Sequence, residues 1–121
     1  MSKAIGIHLG LKNSCVGIWK NNKVEIIPNE IGEKTTPSVV SFDGKERLVG
    51  KAAKVKMSKN YKNTVYDINR LIGRRFSDKR VQEDMKRWAF KVEKDEKTDR
   101  PLIVVDYLGQ KKNFYLRKFL Q

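Results

Sequence analysis

The alternation of apolar and polar residues at the start of the chain predicts a β-sheet. Ala4–Leu9 and Ser14–Lys20 each alternate in part, and the turn-forming stretch Gly10–Asn13 separates them, which is the pattern of a β-hairpin. A pair of asparagines at positions 21 and 22 predicts a second tight turn before the apolar run Val24–Ile27. The start of the chain is therefore predicted to form a three-stranded antiparallel meander.

The next segment predicts two short strands. A Thr-Pro pair at positions 36 and 37 favours extended backbone at the entry to a fourth strand, Ser38–Phe42. An Asp-Gly turn at positions 43 and 44 follows, and a fifth strand is expected near Arg47–Val49.

Two short helices are also predicted. The first spans Lys51–Lys59. One stripe of this helix carries Ala52, Val55 and Lys59. The second has Ser77 as its N-cap and Asp78 in its first turn, where a carboxylate suits the helix dipole. It is expected to run for about ten residues with one apolar face at helical spacing. That face consists of Val81, Met85 and Trp88.

The last third of the chain predicts three further strands, at Phe90–Val92, Leu102–Tyr107 and Lys112–Leu116. The turn Leu108–Gln110 joins the last two strands into a hairpin. Lys94–Arg100 is charged at every position except Thr98, so we expect a flexible loop there.

The charge balance is strongly basic. The chain of 121 residues has 27 Lys and Arg against 14 Asp and Glu, a net charge of +13. Such a surface attracts nucleic acid, anionic membranes or acidic proteins, and salt weakens that attraction. The charges are scattered, however, and form no basic block interleaved with aromatic residues, so solvated lysine-rich faces are favoured over a nucleic-acid site.

Other compositional features exclude several classes of site. Cys15 is the only cysteine, which rules out an intrachain disulfide, and we expect it to be a small buried residue on a strand. One Cys and one His give transition metals almost no ligands. No apolar run is long enough to span a membrane, and the first residues lack a signal-peptide pattern. A cytoplasmic location is predicted, with the nucleus as the alternative.

The stretch Asn63–Phe76 follows neither the strand period nor the helix period, so we expect a short turn of helix and a bend. Gly73 ends its apolar run before two arginines. This stretch, with its Arg-Leu-Ile-Gly-Arg-Arg-Phe, resembles the ATPase domain of the seventy-kilodalton heat-shock chaperone family (heat shock protein 70). The resemblance covers roughly residues 4 to 115 and includes the segments Ala4–Gly17, Val24–Phe42, Glu46–Lys54, Val81–Phe90 and Lys111–Tyr115.

The resemblance implies an α/β fold, the N-terminal portion of an actin-like, ribonuclease H-like ATPase lobe in which an antiparallel meander precedes a small α+β upper subdomain. Residues 1–38 would be an incomplete lower subdomain with the first phosphate loop, residues 39–116 the upper subdomain, and residues 117–121 a tail without counterpart. In the family, later elements cover the lower sheet. We therefore expect the meander to leave an apolar face or a strand edge uncovered, which favours self-association.

The resemblance also locates a candidate site. The family's first phosphate loop supplies a carboxylate near magnesium and a threonine near the phosphates, and a lysine further on orients water and balances γ-phosphate charge. Here the carboxylate position is His8 and the lysine position is Asn69. The loop begins at Gly10 and continues, in place of Thr, Thr and Tyr, with Leu11, Lys12 and Asn13. We expect no intact catalytic residue, a degenerate phosphate loop, no metal site, and weak or absent binding of ATP with magnesium.

Two of these residues allow a second interpretation. Lys12, in a glycine-anchored turn, could hold a phosphate as a point charge, although a solvated turn lysine is the simpler interpretation. His8 could act as a general base, but no carboxylate lies nearby in sequence to orient it, and the strand pattern predicts that it is buried or packed.

Three functions follow as hypotheses. The first is a truncated relative of the chaperone ATPase that cannot hydrolyse ATP alone and binds co-chaperones or other chaperone machinery. The second is the N-terminal fragment of an ATP-binding chaperone ATPase, completed by further sequence or by a partner chain. The third, a basic nucleic-acid-binding protein, is disfavoured by the scattered charge, and no membrane partner is expected.

Overall fold

The computed structural model describes residues 4–116 and Phe119. These residues form three small β-sheets, two short α-helices and 3₁₀ turns, which confirms the predicted α/β fold with antiparallel sheets. The predicted tail, residues 117–121, lies outside the described residues apart from Phe119. Both helices in the described ranges are too short to cross a lipid bilayer.

The first sheet is the meander that the alternation predicts. It consists of β1 (Ile5–Leu9), β2 (Asn13–Lys20) and β3 (Lys23–Ile27), with β2 in the middle. Asn21 and Asn22 make the second turn, with φ of 52° and 61°. Two consecutive positive φ angles give the twist of a two-residue hairpin turn, and asparagine tolerates them better than most residues.

The meander is apolar on both faces and exposed on both. Its antiparallel register puts Ile5 and Ile7 on one face, and Trp19 and Val24 on the other. Ile7 is 67% exposed and Trp19 is 54% exposed. The predicted uncovered apolar face is thus confirmed for the described residues, and it has a counterpart on the opposite side of the sheet.

The strand predicted at Ser38–Phe42 is wrong in its bounds. β4 (Thr36–Pro37) pairs with the start of β2, whereas β5 (Val40–Asp43) belongs to the second sheet. β5 pairs with β6 (Glu46–Val49), as the Asp-Gly turn predicts. Because the chain passes from one sheet to another at Ser38, no single strand can run through this segment.

The first helix, α1 (Lys51–Lys56), is shorter than predicted, and the prediction of its buried face is wrong. Ala53 is fully buried, whereas Val55 is 70% exposed. The helix begins against the segment that precedes β5, because a Cβ atom on Gly50 would stand 2.8 Å from Cγ2 of Thr36. At such close approach only a small side chain fits on the inner side of the helix.

The central stretch contains the 3₁₀ turn Ile68–Arg70, which confirms the predicted short turn and bend, and another 3₁₀ turn, Tyr61–Asn63, ends at its first residue. A two-residue strand between them, β7 (Thr64–Val65), pairs with β5 and was not predicted, since two residues show no period. The buried hydroxyl of Thr64 lies 3.0 Å from that of Ser41, so both polar groups are satisfied.

The second helix, α2 (Lys79–Met85), has a different N-cap from the one predicted. The carboxylate of Asp78 accepts a hydrogen bond from the backbone N–H of Arg80 at 2.8 Å. Ser77 precedes the cap, because the helix begins at Lys79, and its N–H and its hydroxyl both donate to the carboxylate of Asp99. The helix has seven residues rather than about ten, so the predicted face is confirmed for Val81 and Met85, whereas Trp88 contacts the core from beyond the helix end.

The third sheet contains β8 (Lys91–Lys94), β9 (Pro101–Tyr107) and β10 (Gln110–Phe114), with β9 in the middle. Leu108 and Gly109 form the turn of the predicted hairpin, with φ of 56° and 74°.

The hydrophobic core lies where the second and third sheets meet α2 and the central stretch. Phe42 packs against the rings of Tyr107 and Phe114, at centroid distances of 5.0 and 5.5 Å. The ring of Trp88 stacks on Phe90 at 5.0 Å. All buried members of this cluster lie between positions 40 and 105, so the meander stands outside the core.

The charged loop before β9 is closed by specific hydrogen bonds. The N–H of Asp95 donates to the carbonyl of Arg100 at 2.9 Å, and the hydroxyl of Tyr115 donates to the carboxylate of Asp95 at 2.5 Å. The N–H of Lys97 donates to the same carboxylate at 3.1 Å. The flexibility expected for this loop stays a prediction.

Because of the hydrogen bonds to Asp95, the stability of this loop is expected to depend on pH. The Tyr115 hydroxyl, followed by the Lys97 amide, holds the pKa of the Asp95 carboxyl below its ordinary value. Because the folded-state pKa is depressed, the stabilisation is complete above the ordinary carboxyl pKa and is lost as pH falls through the folded-state pKa. We expect Tyr115→Phe to raise the pKa of Asp95 in an NMR pH titration, whereas Tyr61→Phe leaves it unchanged. Equal titration curves for both variants would contradict this assignment.

Candidate functional site

The first loop, Gly10–Asn13, is closed by its own backbone. The N–H of Gly10 donates to the carbonyl of Asn13 at 3.1 Å. A Cβ atom at position 10 would stand 2.4 Å from that carbonyl oxygen and 3.0 Å from Nε2 of His8. Glycine is therefore required at position 10 by lack of space.

His8 lies beside this loop but is not packed. It faces Cys15 across the β1–β2 pair. His8 is exposed to solvent, and Cys15 is partly exposed. The predictions that His8 is packed and that Cys15 is buried are therefore wrong. The physical reason is the same for both, since the sheet face that carries them has no covering layer among the described residues.

Asn69 connects the central stretch to the first loop. Its side-chain amide donates to the carbonyl oxygen of Leu9 at 2.5 Å, although the two residues are 60 positions apart. Asn69 thus reaches the loop at the end of β1, beside His8 and Gly10. Of the residues that the resemblance selected, three line one cleft, namely Gly10, Leu11 and Asn69. His8 lies with Cys15 on a face of the meander, and Lys12 and Asn13 do not line the cleft.

Two serines complete the connection and were not predicted. The hydroxyl oxygens of Ser14 and Ser38 lie 2.8 Å apart, and the N–H of Ser38 donates to the carbonyl of Lys12 at 2.9 Å. Sequence offered one partial signal, the Thr-Pro pair that favours extended backbone just before Ser38. The pairing partner of that segment could not be inferred from it.

A cleft of about 200 Å³ lies between the loop, β4 and Asn69. Most of its lining side chains are apolar, including Leu9, Leu11 and Ile68. The polar side chains in its wall already have partners, because Asn69 donates to Leu9, Thr36 accepts from Asn29, and the two serine hydroxyls contact each other. These side chains therefore offer few free hydrogen-bond donors to a charged ligand.

These residues do not fit a complex of ATP with magnesium. Magnesium prefers oxygen ligands, above all carboxylates and phosphate oxygens, but His8, Gly10–Asn13 and Asn69 include no carboxylate. Nowhere in the described ranges do three or more His, Cys, Asp or Glu residues gather as metal ligands. Lys12 is the one basic residue of the loop Gly10–Asn13. Its ammonium group has no ion pair with a described residue.

The tight loop predicts a selective effect of substitution at Gly10. Gly10→Ala is expected to destabilise the meander by about 1–3 kcal/mol, because the added Cβ overlaps the Asn13 carbonyl. Gly6→Ala is the matched control, since a Cβ there meets nothing within 4 Å. Unfolding would be followed by the fluorescence of Trp19 in a Trp88→Phe background. Equal urea midpoints for the two alanine variants would contradict the predicted clash.

Comparison with known proteins agrees with this arrangement of segments. The family model described as Hsp70 protein matches residues 4–118. The chain is 55% identical over 111 residues to heat shock cognate 70 kDa protein 3 of Dictyostelium discoideum, covering 92% of this chain and 18% of that protein. It is 52% identical over 113 residues to a ribosome-associated molecular chaperone of Eremothecium gossypii, covering 93% of this chain and 18% of that protein.

A third relative, the heat shock 70 kDa protein of Emericella nidulans, is 49% identical over 114 residues, covering 94% of this chain and 17% of that protein. The chain thus spans less than one fifth of the length of these relatives. The family match extends over nearly all described residues, including the meander, the first loop and the central stretch. The chain belongs to the Hsp70 family and corresponds to an N-terminal part of its ATPase domain.

Proposed function

We propose that this chain is a partner-binding module of the Hsp70 family that keeps the fold of the ATPase lobe and does not hydrolyse ATP by itself. One observation carries the proposal: the amide of Asn69 donates to the carbonyl of Leu9, at the position where the family has a catalytic lysine. A neutral amide that is already hydrogen-bonded supplies no charge to a phosphoryl group.

The chemistry of phosphoryl transfer explains why this change matters. Catalysis depends on cations and metal ions that stabilise the charge of the transferred group, together with a precisely oriented water. His8 brings no negative charge to hold hydrated magnesium, and Leu11 has no hydroxyl for a phosphate. The changes at His8, Leu11 and Asn69 therefore each remove a group that supports phosphoryl transfer.

The proposed binding surface is the part of the chain with its own hydrophobic core. We assign residues 39–116 to the upper subdomain and residues 1–38 to the lower one, because all buried members of the core cluster lie after position 39. A surface supported by a packed core can hold fixed side chains toward a co-chaperone. We place this activity in the cytoplasm, with the nucleus as the alternative.

Phosphate release from ATP and magnesium by the purified 121-residue chain tests the catalytic part of the proposal. We expect release at the rate of a buffer blank, for the chain and for its Asn69→Ala variant alike. Turnover above the blank that Asn69→Ala abolishes would overturn the proposal. Capture of purified co-chaperones by the same chain tests the binding part, and failure to retain any of them would remove it.

A second candidate function is supported by the exposed meander. Ile5, Ile7 and Trp19 present apolar surface on two faces of one sheet, which in a stable protein is covered by further chain or by another molecule. The chain could thus be one piece of an ATP-binding ATPase that further sequence or a partner chain completes, and self-association would cover the same faces. Sedimentation velocity of the chain and of its Ile7→Lys variant separates these cases. A concentration-dependent increase in mass that Ile7→Lys removes indicates self-association, and a monomer at all concentrations excludes it.

A further inference from the structure

A pocket of about 590 Å³ lies far along the chain from the first loop, between the end of the central stretch and the loop before β9. Gly73, Arg74 and Arg75 form one wall, and the segment 98–101 forms the opposite wall. The two walls are joined by a backbone hydrogen bond of 2.8 Å from the N–H of Phe76 to the carbonyl of Asp99. None of its lining residues belongs to the cleft beside the first loop.

The pocket carries an excess of positive charge. Three arginines line it, against the single carboxylate of Asp99. That carboxylate is engaged, because Ser77 donates to it through its N–H and its hydroxyl. Arg74 is within 3.6 Å of Asp78. No ion pair joins Arg75 or Arg100 to a described residue, although Arg100 is near enough to Asp95 that, after Tyr115 and Lys97, its charge helps to hold the pKa of that carboxyl low.

Arg100 is nevertheless held in place. Its guanidinium carbon lies 5.9 Å from the ring centroid of Tyr115, a cation–π contact, and its carbonyl accepts from Asp95 in the closed loop. Arg75 lies two residues after Gly73, which has a positive φ of 71°, and is exposed. An ordered guanidinium group loses less conformational entropy when it binds an anion.

The rest of the pocket is apolar. Leu71 and Pro101 are buried behind its surface, whereas Leu116 is partly buried and Tyr115 is 41% exposed, so these last two present the accessible apolar surface. The phosphate backbone of a nucleic acid would bind the arginines but would gain nothing from these apolar side chains. A peptide that places an apolar side chain beside a carboxylate would use both, and arginine binds carboxylates with two parallel hydrogen bonds.

We propose that this pocket binds an acidic peptide segment of a protein partner, with its carboxylates on Arg75 and Arg100 and an apolar side chain against Leu116 and the ring of Tyr115. The proposal rests on the partner-binding part of the proposed function and names its chemistry. It does not depend on whether the chain hydrolyses ATP. Binding to this pocket should weaken as salt is raised, because both arginines are exposed.

The test is fluorescence anisotropy of a labelled Glu-Leu-Glu-Leu-Glu peptide titrated with the full chain. We expect saturable binding that Arg75→Glu/Arg100→Glu weakens by about tenfold or more, since two charge pairs become repulsive. The matched control, Lys54→Glu/Lys111→Glu, makes the same change in net charge at exposed lysines outside the pocket and is expected to stay within about twofold. A Gln-Leu-Gln-Leu-Gln peptide should bind at least as weakly as the double arginine variant binds the acidic one.

The remaining outcomes contradict the proposal. Equal loss of binding in both double variants would mean attraction by net charge alone. Displacement of the peptide by a single-stranded oligonucleotide at lower concentration than unlabelled peptide would assign the pocket to nucleic acid. Arg75→Lys/Arg100→Lys keeps the charge and removes the guanidinium forks, so unchanged binding by it would exclude the bidentate contacts. If the peptide fails to bind but co-chaperones are still captured, this pocket is excluded while the proposed function stands.

Discussion

A triple substitution in a full-length Hsp70 relative is expected to lower its ATP turnover by about 10³-fold or more. The substitutions introduce histidine, leucine and asparagine at the positions that match His8, Leu11 and Asn69. The estimate follows the cost of removing one cation from a phosphoryl-transfer site, about 10³–10⁵ in rate. In this chain the residue at the lysine position donates a neutral hydrogen bond to a backbone carbonyl. Steady-state phosphate release by the relative and its triple variant is the measurement.

The control for this experiment carries only the asparagine that matches Asn13. That residue is exposed at the start of β2 and contributes to the loop's hydrogen bond through its backbone carbonyl, which any residue supplies, so we expect turnover within several-fold of the parent. A triple variant that retains most of the parent's turnover would show that these positions do not explain a loss of catalysis. A control that falls as far as the triple variant would mean that any change in the loop disrupts it.

The second large effect is expected from Leu71→Ala. Leu71 is fully buried in the core cluster and follows the 3₁₀ turn that carries Asn69. Truncating a buried leucine leaves a cavity and costs about 2–5 kcal/mol, a large share of the roughly 5–15 kcal/mol that stabilises a small domain. We therefore expect a large fall in the urea midpoint.

The neighbouring residue supplies the control. Ile72 is 46% exposed, so Ile72→Ala should change the free energy of unfolding by about 0.5 kcal/mol or less. Unfolding is followed by Trp88, which is buried and stacked on Phe90, in a Trp19→Phe background. Similar midpoints for the two alanine variants would contradict the position of Leu71 in the core.

Local patterns predicted much of the fold. The meander was predictable because alternation and an asparagine pair act between adjacent segments, and the apolar face of α2 because Val81 and Met85 are one helical turn apart. The buried side of α1 was not, because it depends on how the helix packs against β5 and β6. The N-cap of α2 was missed by one residue, because serine and aspartate are both suitable caps and local sequence does not decide between Ser77 and Asp78.

The candidate site was predictable only through the family resemblance. Nothing in the periodicity places Asn69 on the carbonyl of Leu9, because that contact depends on how the central stretch packs. The pairing of Ser14 with Ser38 depends on β4 joining β2, which no local pattern encodes. The basic pocket is likewise a product of tertiary structure, because its unpaired arginines lie 25 positions apart on different walls.

Calorimetric titration of the 121-residue chain with ATP and magnesium tests the central claim most directly, namely that this member of the family keeps the fold and has lost the nucleotide site. We predict no saturable heat, because the cleft beside the first loop is largely apolar, its polar groups are paired, and no carboxylate is present among His8, Gly10–Asn13 and Asn69. Saturable binding of one nucleotide per chain, or per two chains, that Lys12→Ala weakens would contradict the claim. That result would assign a rebuilt phosphate site to the loop.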